Sequence, residues 1–267
     1  MSIDIERYKE DGVGMVNGAL GNSALQLAQE AYDWSINNPG SMSSKVSFPD
    51  GGYFYSETAN PDSFAAYNPI IHHPDIVELV RSVFQGPDAW YMYEQVFRKE
   101  GGDTRRTPWH QDTPYLPVSG DDLLVVWISF DSVEHEAALE FVQGSHRGPL
   151  YDGSSFDESD DTAPLYDSSE YPRLPDIEAN RANYNIVSWA TEPGDVLVFH
   201  PSILHGGAAT SGEVRRRTLS LRFFGSDARV ASRPANIEGG DSSHPVRQMR
   251  LVKSGEPFRH PEFPKIY

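Results

Sequence analysis

The chain has 267 residues, of which 38% are apolar and 12% aromatic, so it can build a packed core and is not a disordered chain. It contains no cysteine, which excludes disulfides, zinc–thiolate sites and thiol nucleophiles, and any metal must be bound by His, Asp or Glu. The formal net charge of −17 argues against a surface for nucleic acid or an anionic membrane, since both need a basic face.

The amino terminus, residues 1–6, lacks the basic start and the apolar run of a signal peptide. No segment approaches the apolar length of a membrane-spanning helix. We therefore expect a soluble, cytoplasmic protein that binds neither nucleic acid nor a membrane and is a monomer or a small homo-oligomer. The length suits one large domain as well as two small ones, and we expect a single domain over residues 1–267.

Two segments are predicted to be helices. The first runs from Asn22, which can cap it, to Asn38, and it carries a broad apolar stripe. The second begins at Pro74, has apolar residues at helical spacing through Phe84 and is ended by Gly86. We expect both helices to pack on the outside of a sheet.

From Trp90 onward the sequence consists of short runs rich in β-branched and aromatic residues, with turn signals between them. The predicted strands are residues 90–97, 123–130, 138–142, 196–199 and 218–224. Many short strands with no helix between them favour an antiparallel barrel or sandwich over a βαβ fold. The aperiodic residues 151–185 are predicted to be an insertion or lid that covers a site, and residues 229–267 to wrap the domain surface.

His110 and Asp112 are the first candidate metal ligands. In an extended chain, residues two apart point the same way, so these two side chains can bind one ion together. Residues 199–207 supply another candidate histidine. Two histidines and one carboxylate on one face of an octahedral ion leave positions open for a co-substrate and oxygen, as in non-haem iron(II) oxygenases. On its own, His-x-Asp is more often a histidine hydrogen-bonded to a carboxylate in a turn. The surrounding sequence is therefore needed to choose between such a turn and a metal site.

The surrounding sequence resembles the phytanoyl-CoA dioxygenase family, whose members use iron(II) and 2-oxoglutarate. The shared order is His-x-Asp, a distant histidine and then an arginine on a late strand. Supporting motifs lie at residues 107–112, 139–147 and 193–197. The resemblance implies a mainly β fold with flanking helices, a double-stranded β-helix of the jelly-roll or cupin-like kind. It also implies that His110, Asp112 and His205 are the iron ligands.

The family's arginine falls on Arg216, where a guanidinium would clamp the far carboxylate of 2-oxoglutarate. Arg215 and Arg217 flank it, so the alternation of the strand has to decide between them. Thr218 shares the side of Arg216 and gives a polar face, whereas the apolar residues from Leu219 onward share the side of the other two. We therefore favour Arg216, with Thr218 beside it. The alternative is that all three arginines are surface charges.

Other residues near this set have more than one interpretation. The resemblance places Trp127 near the co-substrate, but an ordinary core aromatic is equally compatible with its strand. Thr107 is a further candidate for the near end of the co-substrate. We expect His200 to be structural, because the proline that follows it breaks the strand before His205. For Lys99 we weigh a position at the mouth of the site against a solvated lysine and favour the solvated one.

The activity that the resemblance implies is oxygenation with Fe(II), O2 and 2-oxoglutarate, which becomes succinate and CO2 while an unactivated C–H bond is hydroxylated. Asp112 argues against halogenation, because halogenating relatives have a small residue there so that chloride can bind the iron. An acyl-CoA fits poorly, since there is no obvious basic cluster apart from residues 215–217. We therefore expect the substrate to be a small metabolite or a natural-product intermediate.

Two other classes of protein remain open at this point. One is a non-catalytic, cupin-like barrel that binds a metal or a small ligand, although such a barrel does not need Arg216. The other is a peptide hydroxylase, which would need an exposed groove for its substrate. Desaturation and other outcomes of the same iron chemistry also remain open.

Overall fold

In the computed structural model, which describes residues 3–48, 51–84, 86–102, 104–166, 168–210, 215–234 and 252–267, the amino-terminal third is rich in helix. The α-helices are α1 (Ile5–Asp11), α2 (Asn22–Asn37), α3 (Phe64–Ile71) and α4 (Pro74–Val83). α2 and α4 confirm the two predicted helices. The sequence patterns do not predict α1, which is short, or α3, which is mostly apolar and contains Pro69.

The strands that the structure describes are mostly short. They are β1 (Val13–Val16), β2 (Ser44–Ser47), β3 (Tyr53–Thr58), β4 (Ala89–Glu100), β5 (Thr107–His110), β6 (Val118–Ser119), β7 (Leu123–Ser129), β8 (Leu139–Val142), β9 (Ile186–Ser188), β10 (Val196–Phe199), β11 (His205–Gly207), β12 (Arg215–Gly225) and β13 (Arg229–Val230). The five predicted strands correspond to β4, β7, β8, β10 and β12. Apart from β3, the other strands are two to four residues long, so their sequences carry little signal.

Two antiparallel sheets form the framework. The larger sheet has the order β1-β10-β7-β12-β4-β3-β2, and the smaller sheet has the order β5-β11-β8-β9. Every strand pair in both sheets is antiparallel. This arrangement confirms the predicted antiparallel β architecture with helices beside it.

The two faces of the larger sheet differ in chemistry, because side chains alternate along each strand. On one face of β12, Leu219, Leu221 and Phe223 are fully buried in the main apolar core, to which α2, α3 and α4 contribute. The other face carries four buried polar residues, Arg216, Thr218, Ser220 and Arg222. The alternation predicted for this strand is therefore correct, and its polar side is buried as well.

Neighbouring strands extend this polar face sideways, and we call it the inner face. Direct cross-strand partners point to the same side of a sheet, and the β4 residue opposite Arg216 is Lys99. On the other side of β12, β7 presents Trp127 to the inner face. Trp127 packs in one apolar cluster with Phe141 of the smaller sheet, so the two sheets meet along this face.

The predicted insertion, residues 151–185, is irregular where the structure describes it, apart from a 3-10 turn at Arg181–Asn183. The Tyr166 N–H donates to Asp152 Oδ1 at 2.9 Å, and the Tyr166 hydroxyl donates to the Pro114 carbonyl. Asp152 and Tyr166 are both buried. These contacts fix this part of the insertion against the turn that follows β5.

The carboxy-terminal segment packs on β12 as far as it is described. The rings of Phe258 and Phe263 meet that of Phe224 at centroid distances of 4.9 and 5.0 Å, which agrees with the predicted surface wrap. Residues 235–251 of that prediction lie outside the described part of the chain. No helix in the described ranges is both long and apolar enough to cross a bilayer. That residues 1–267 form a single domain stays a prediction.

Candidate metal centre

Three side chains that can bind a metal ion converge between the two sheets. One ligand atom each from His110, Asp112 and His205 lies within 4.8 Å of the other two. The Nε2 atoms of His110 and His205 lie 3.5 and 3.8 Å from Asp112 Oδ1. The two histidines are buried and the carboxylate is largely so. The fold thus brings together the three residues that the sequence analysis proposes as ligands.

The pairing of β5 with β11 sets this geometry. His110 and His205 are direct cross-strand partners, so their side chains leave the sheet on the same side, with ring centroids 4.2 Å apart. The expected extended chain through Asp112 is wrong in detail, because Asp112 has φ −76° and ψ −33° at the start of a 3-10 turn. Its N–H donates to the Pro201 carbonyl at 2.7 Å, which holds the turn and keeps the carboxylate beside the histidines.

Hydrogen bonds fix the tautomer of both histidines. Nδ1 of His110 lies 2.8 Å from the Pro108 carbonyl, and Nδ1 of His205 lies 3.0 Å from the Ile203 carbonyl. A carbonyl only accepts, so each Nδ1 carries a proton, and in the neutral form of each ring it is Nε2 that presents the lone pair. Burial, and then the charge of His110, lowers the pKa of His205 to about 4, so this ring is neutral at neutral pH. Two imidazole nitrogens are therefore available to a cation.

Arg222 contacts the third ligand, and it is not among the predicted site residues. Its Nη2 donates to Asp112 Oδ2 at 2.8 Å and to Gln95 Oε1 at 2.7 Å, and its guanidinium lies 4.9 Å from the centre of the Tyr93 ring. Burial alone would raise the pKa of Asp112, but Arg222 and the two histidines outweigh it and hold that pKa well below its usual range. Oδ1 is left as the anionic oxygen that faces the histidines.

Of the three consecutive arginines, Arg216 is the one on the inner face. It is buried and donates to the Ala137 carbonyl, whereas Arg215 is exposed and Arg217 pairs with Asp131 at 2.9 Å. Burial lowers the pKa of Arg216 to about 10, which still leaves it charged at neutral pH. Its location agrees with the predicted alternation, and its role in binding a carboxylate stays a prediction.

The three other candidate co-substrate contacts lie on the same strands. Thr218 is buried on the inner face of β12. Trp127 is buried in the apolar cluster with Phe141, whose ring centroid lies 5.9 Å from that of His205. Thr107 begins β5, the strand that ends at the candidate ligand His110. Trp127 thus packs in the core next to an aromatic that contacts a candidate ligand, and contact of all three residues with a co-substrate stays a prediction.

Lys99 is buried, so the prediction of a solvated lysine is wrong. It lies on the inner face as the direct partner of Arg216, and the Phe54 ring of β3 covers it, with the ring centre 5.8 Å from Nζ. Nζ has no hydrogen-bond partner among the residues that the structure describes. Burial, and then the charge of Arg216, lowers the pKa of Lys99 to about 7. The inner face therefore holds a second basic side chain beside Arg216.

His200, by contrast, is structural as predicted. It is buried, its Nδ1 accepts from the Ser202 N–H at 3.1 Å, and its Nε2 therefore donates to the Gly120 carbonyl at 3.2 Å. Burial lowers its pKa to about 4. Both ring nitrogens are engaged, so this histidine has no free lone pair for a metal.

The insertion reaches the metal centre through an aromatic side chain. The Phe156 ring lies 5.3 Å from the His110 ring and 6.1 Å from the nearly parallel Tyr115 ring. Phe156 is nevertheless 42% exposed, and its φ of 56° lies in the left-handed region that favours glycine. The Tyr115 hydroxyl donates to the Ser154 carbonyl at 2.6 Å, which holds this part of the insertion in place. An exposed aromatic with a strained backbone beside a candidate ligand marks the open side of the site.

The chain belongs to the phytanoyl-CoA dioxygenase family, whose model matches residues 8–218. It is similar to the peroxisomal phytanoyl-CoA dioxygenase of Homo sapiens, with 27% identity over 166 residues that make up 58% of this chain and 44% of the human protein. It is also similar to L-proline trans-4-hydroxylase of Streptomyces griseoviridis, with 26% identity over 193 residues, 68% of this chain and 67% of that protein. The match to the human relative thus spans less than half of that protein's length.

Solved structures share the fold. The epimerase SnoN, crystallised with Fe3+, alpha ketoglutarate and nogalamycin RO, has a TM-score of 0.73 at 20% identity, and the alignment covers 98% of this chain and 97% of SnoN. EctD from S. alaskensis, crystallised with 2-oxoglutarate and 5-hydroxyectoine, has a TM-score of 0.63 at 16% identity, covering 95% of this chain and 83% of EctD. At these identities the likeness concerns the fold alone, and it confirms the predicted double-stranded β-helix.

Proposed function

We propose that the protein is an Fe(II)- and 2-oxoglutarate-dependent oxygenase that hydroxylates an unactivated C–H bond of a small molecule. The observation that carries this proposal is the buried cluster of His110, Asp112 and His205, in which two Nε2 lone pairs and one carboxylate oxygen share a centre. Membership of the family supports it, as do fold neighbours crystallised with 2-oxoglutarate.

The donor set of this cluster fits Fe(II). His110, Asp112 and His205 would hold the ion with two imidazole nitrogens and one carboxylate oxygen, a donor set that suits Fe(II) and would leave positions for small ligands. Arg222 donates a hydrogen bond to Asp112 Oδ2, so the carboxylate offers only Oδ1 to the ion. The chemistry supplied by the bound group is activation of O2, coupled to conversion of 2-oxoglutarate into succinate and CO2.

In this proposal 2-oxoglutarate binds on the inner face of the larger sheet, beside the iron ligands. In this proposal Arg216 donates charge-assisted hydrogen bonds to the far carboxylate, and Thr218 offers a hydroxyl on the same side. Trp127 and Thr107 complete the surroundings. Because the face is buried, water is excluded, and each of these polar contacts is stronger than it would be in solvent.

The substrate, in this proposal, binds on the side of the insertion. Phe156 and Tyr115 form an apolar wall next to His110, and Phe156 is open to solvent. A small molecule held against this wall would bring a C–H bond close to the metal. The names of two relatives, a hypophosphite dioxygenase and a proline hydroxylase, point to small substrates and support this choice over a peptide.

Anaerobic titration of the Fe(II)-loaded protein with 2-oxoglutarate tests the proposal, because chelated 2-oxoglutarate gives a visible charge-transfer band. Wild-type protein should show the band, and His110→Ala should not. Arg216→Ala should need about tenfold or more 2-oxoglutarate for the same band, since charge-assisted hydrogen bonds are lost. Arg215→Ala removes an exposed arginine from the same strand, and this control should behave as wild type.

No band in folded, iron-loaded wild-type protein would contradict the proposal and favour the non-catalytic barrel. Once the band is established, the formation of succinate in the presence of small molecules is compared with that in the presence of peptides. Stimulation by peptides alone would replace the small-molecule substrate with a peptide substrate.

A further inference from the structure

Two basic side chains, Lys99 and Arg216, lie side by side in the interior. They are direct cross-strand partners on β4 and β12, and they are 4% and 7% exposed. Lys99 Nζ has no hydrogen-bond partner within the described ranges, and no described carboxylate contributes to the electrostatics of either side chain. The β3 residue opposite Lys99 is Phe54, which is uncharged. The described surroundings therefore contain two buried cations and no anion between them.

This arrangement costs free energy while the site is empty of ligand. A buried ammonium loses its hydration, and a like charge beside it adds repulsion. Both effects act on Lys99, because burial and then Arg216 lower its pKa to about 7. An anionic group placed between the two side chains would remove this cost and return Lys99 to its charged form.

The place of the pair on the inner face indicates which anion it receives. Arg216 is the residue to which the proposed function assigns the far carboxylate of 2-oxoglutarate, and Lys99 is its direct cross-strand partner. An anion that binds to Arg216 on this face therefore lies next to the Lys99 side chain as well. Building on the proposed function, we propose that Lys99 is a second cationic contact for the far carboxylate of 2-oxoglutarate, shared with Arg216.

The contact is tested by comparing Lys99→Met with wild type for two ligands, 2-oxoglutarate and pyruvate. Pyruvate has the 2-oxo acid end of 2-oxoglutarate and lacks the far carboxylate. Lys99→Met should weaken binding of 2-oxoglutarate to the Fe(II)-loaded protein about ten- to hundredfold, measured from the charge-transfer band, because one charge-assisted hydrogen bond is lost. It should leave the binding of pyruvate unchanged within about twofold. Lys45→Met alters an exposed lysine and should change neither ligand.

The stability of the metal-free protein separates this role from a structural one. Methionine keeps the apolar stem of Lys99 and removes a buried, unpaired charge, so Lys99→Met should raise the Tm of the ligand-free protein. A lysine that held the fold together would have the opposite effect. The expected signature is a variant that is more stable than wild type and binds 2-oxoglutarate less tightly. A lower Tm with equal losses for both ligands would overturn the proposal.

Wild-type protein alone provides an independent test, which holds even if the variant does not fold. A carboxylate beside Lys99 favours its charged form, so the protein should take up protons at Lys99 when it binds 2-oxoglutarate at about pH 8, and fewer when it binds pyruvate. Calorimetry in two buffers of different ionisation enthalpy measures this uptake. Equal uptake for the two ligands would overturn the role of Lys99.

The failure of this inference can be told apart from the failure of the proposed function. If wild-type protein shows no band with 2-oxoglutarate, the result contradicts both the proposed function and the role of Lys99. If wild type shows the band and Lys99→Met has the same affinity for 2-oxoglutarate, the role of Lys99 alone is overturned. In that case the two cations receive a different anion, such as an acidic group of the substrate.

Discussion

Asp112 Oδ2 accepts a hydrogen bond from Arg222 Nη2, 2.8 Å away. The Arg222 side chain is only 6% exposed, so water does not compete for this contact. Partners of this kind fix the orientation and the charge of a metal-binding carboxylate. Arg222 is therefore a positioning residue for Asp112, and the free Oδ1 is directed toward the histidines.

Arg222→Met should weaken Fe(II) binding about ten- to hundredfold, because Asp112 loses the partner that orients it and favours its ionised form. Competition with a metal-binding dye measures the affinity. Arg217→Met is the control, since Arg217 lies on the same strand and pairs with Asp131 instead. Equal iron affinity in Arg222→Met and wild type would mean that the chain around Asp112 orients it without Arg222.

The sequence predicts which three candidate ligands meet, because their spacing and the family resemblance both carry that information. Arg222 is predictable in principle, since continuing the alternation from Arg216 along the strand reaches it. Phe156 is not, because it lies in an aperiodic segment whose position depends on contacts with distant parts of the chain. The burial of Lys99 depends on β3, a strand that the sequence patterns do not reveal.

At the scale of the strand, β11 relies on glycine for its close approach to β5. A Cβ on Gly206 would lie 2.9 Å from the Thr107 carbonyl oxygen, which belongs to the backbone of β5. A Cβ on Gly207 would meet side-chain atoms of Thr107 and Leu139 at 3.2 and 3.5 Å. Side chains can adjust, whereas the backbone of a paired strand moves only if the pairing changes. The close approach of the strands that carry His110 and His205 thus depends on Gly206.

Gly206→Ala should push β11 away from β5 and lower Fe(II) affinity about tenfold or more, since overpacking of this kind typically costs about 1–3 kcal/mol. Gly207→Ala should have a clearly smaller effect and is the matched control. Iron titration of both variants, with circular dichroism to establish that each is folded, makes the comparison. If the two substitutions reduce affinity equally, backbone crowding at position 206 is not the cause.

β11 also shows why some strands cannot be predicted from the sequence. β11 is the tripeptide His205–Gly207, which has no intrinsic preference for a strand and forms because β5 and β8 pair with its two sides. β7 and β12, in contrast, carry long apolar or alternating runs that identify them directly. The framework of the larger sheet is therefore predictable, and the short strands that carry the histidines are identified only through their motifs.

At the scale of the whole molecule, one buried acid links stability to pH. Glu94 lies fully buried in β4 and accepts hydrogen bonds from the Asn60 N–H at 2.9 Å, the Ser63 hydroxyl at 2.8 Å and the Tyr91 hydroxyl at 3.1 Å. Burial outweighs these contacts and raises the pKa of Glu94 from 4.5 to about 7. Between these values the folded protein holds a proton that the unfolded chain has released.

The stability that this proton contributes is complete below about pH 4.5 and is lost as the pH rises through about 7. Glu94→Gln stays neutral throughout, so its free energy of unfolding should fall less than that of wild type between about pH 5 and pH 8, by on the order of 3 kcal/mol. Urea unfolding of the metal-free proteins at both pH values measures the difference. Glu134→Gln, at an exposed position, should follow wild type. Parallel pH profiles for Glu94→Gln and wild type would show that Glu94 does not titrate in this range.

The cross-strand pair His110 and His205 joins segments that are far apart in the chain. On the proposed function, an iron ion bound there acts as a cross-link that closes a long loop and holds β11 against β5. A ligand that binds only the folded protein stabilises it by mass action, so resistance to unfolding rises with the concentration of free iron. In a cell that is short of iron, the metal-free protein would unfold and be degraded more often. Iron supply would then set the amount of this protein as well as its activity.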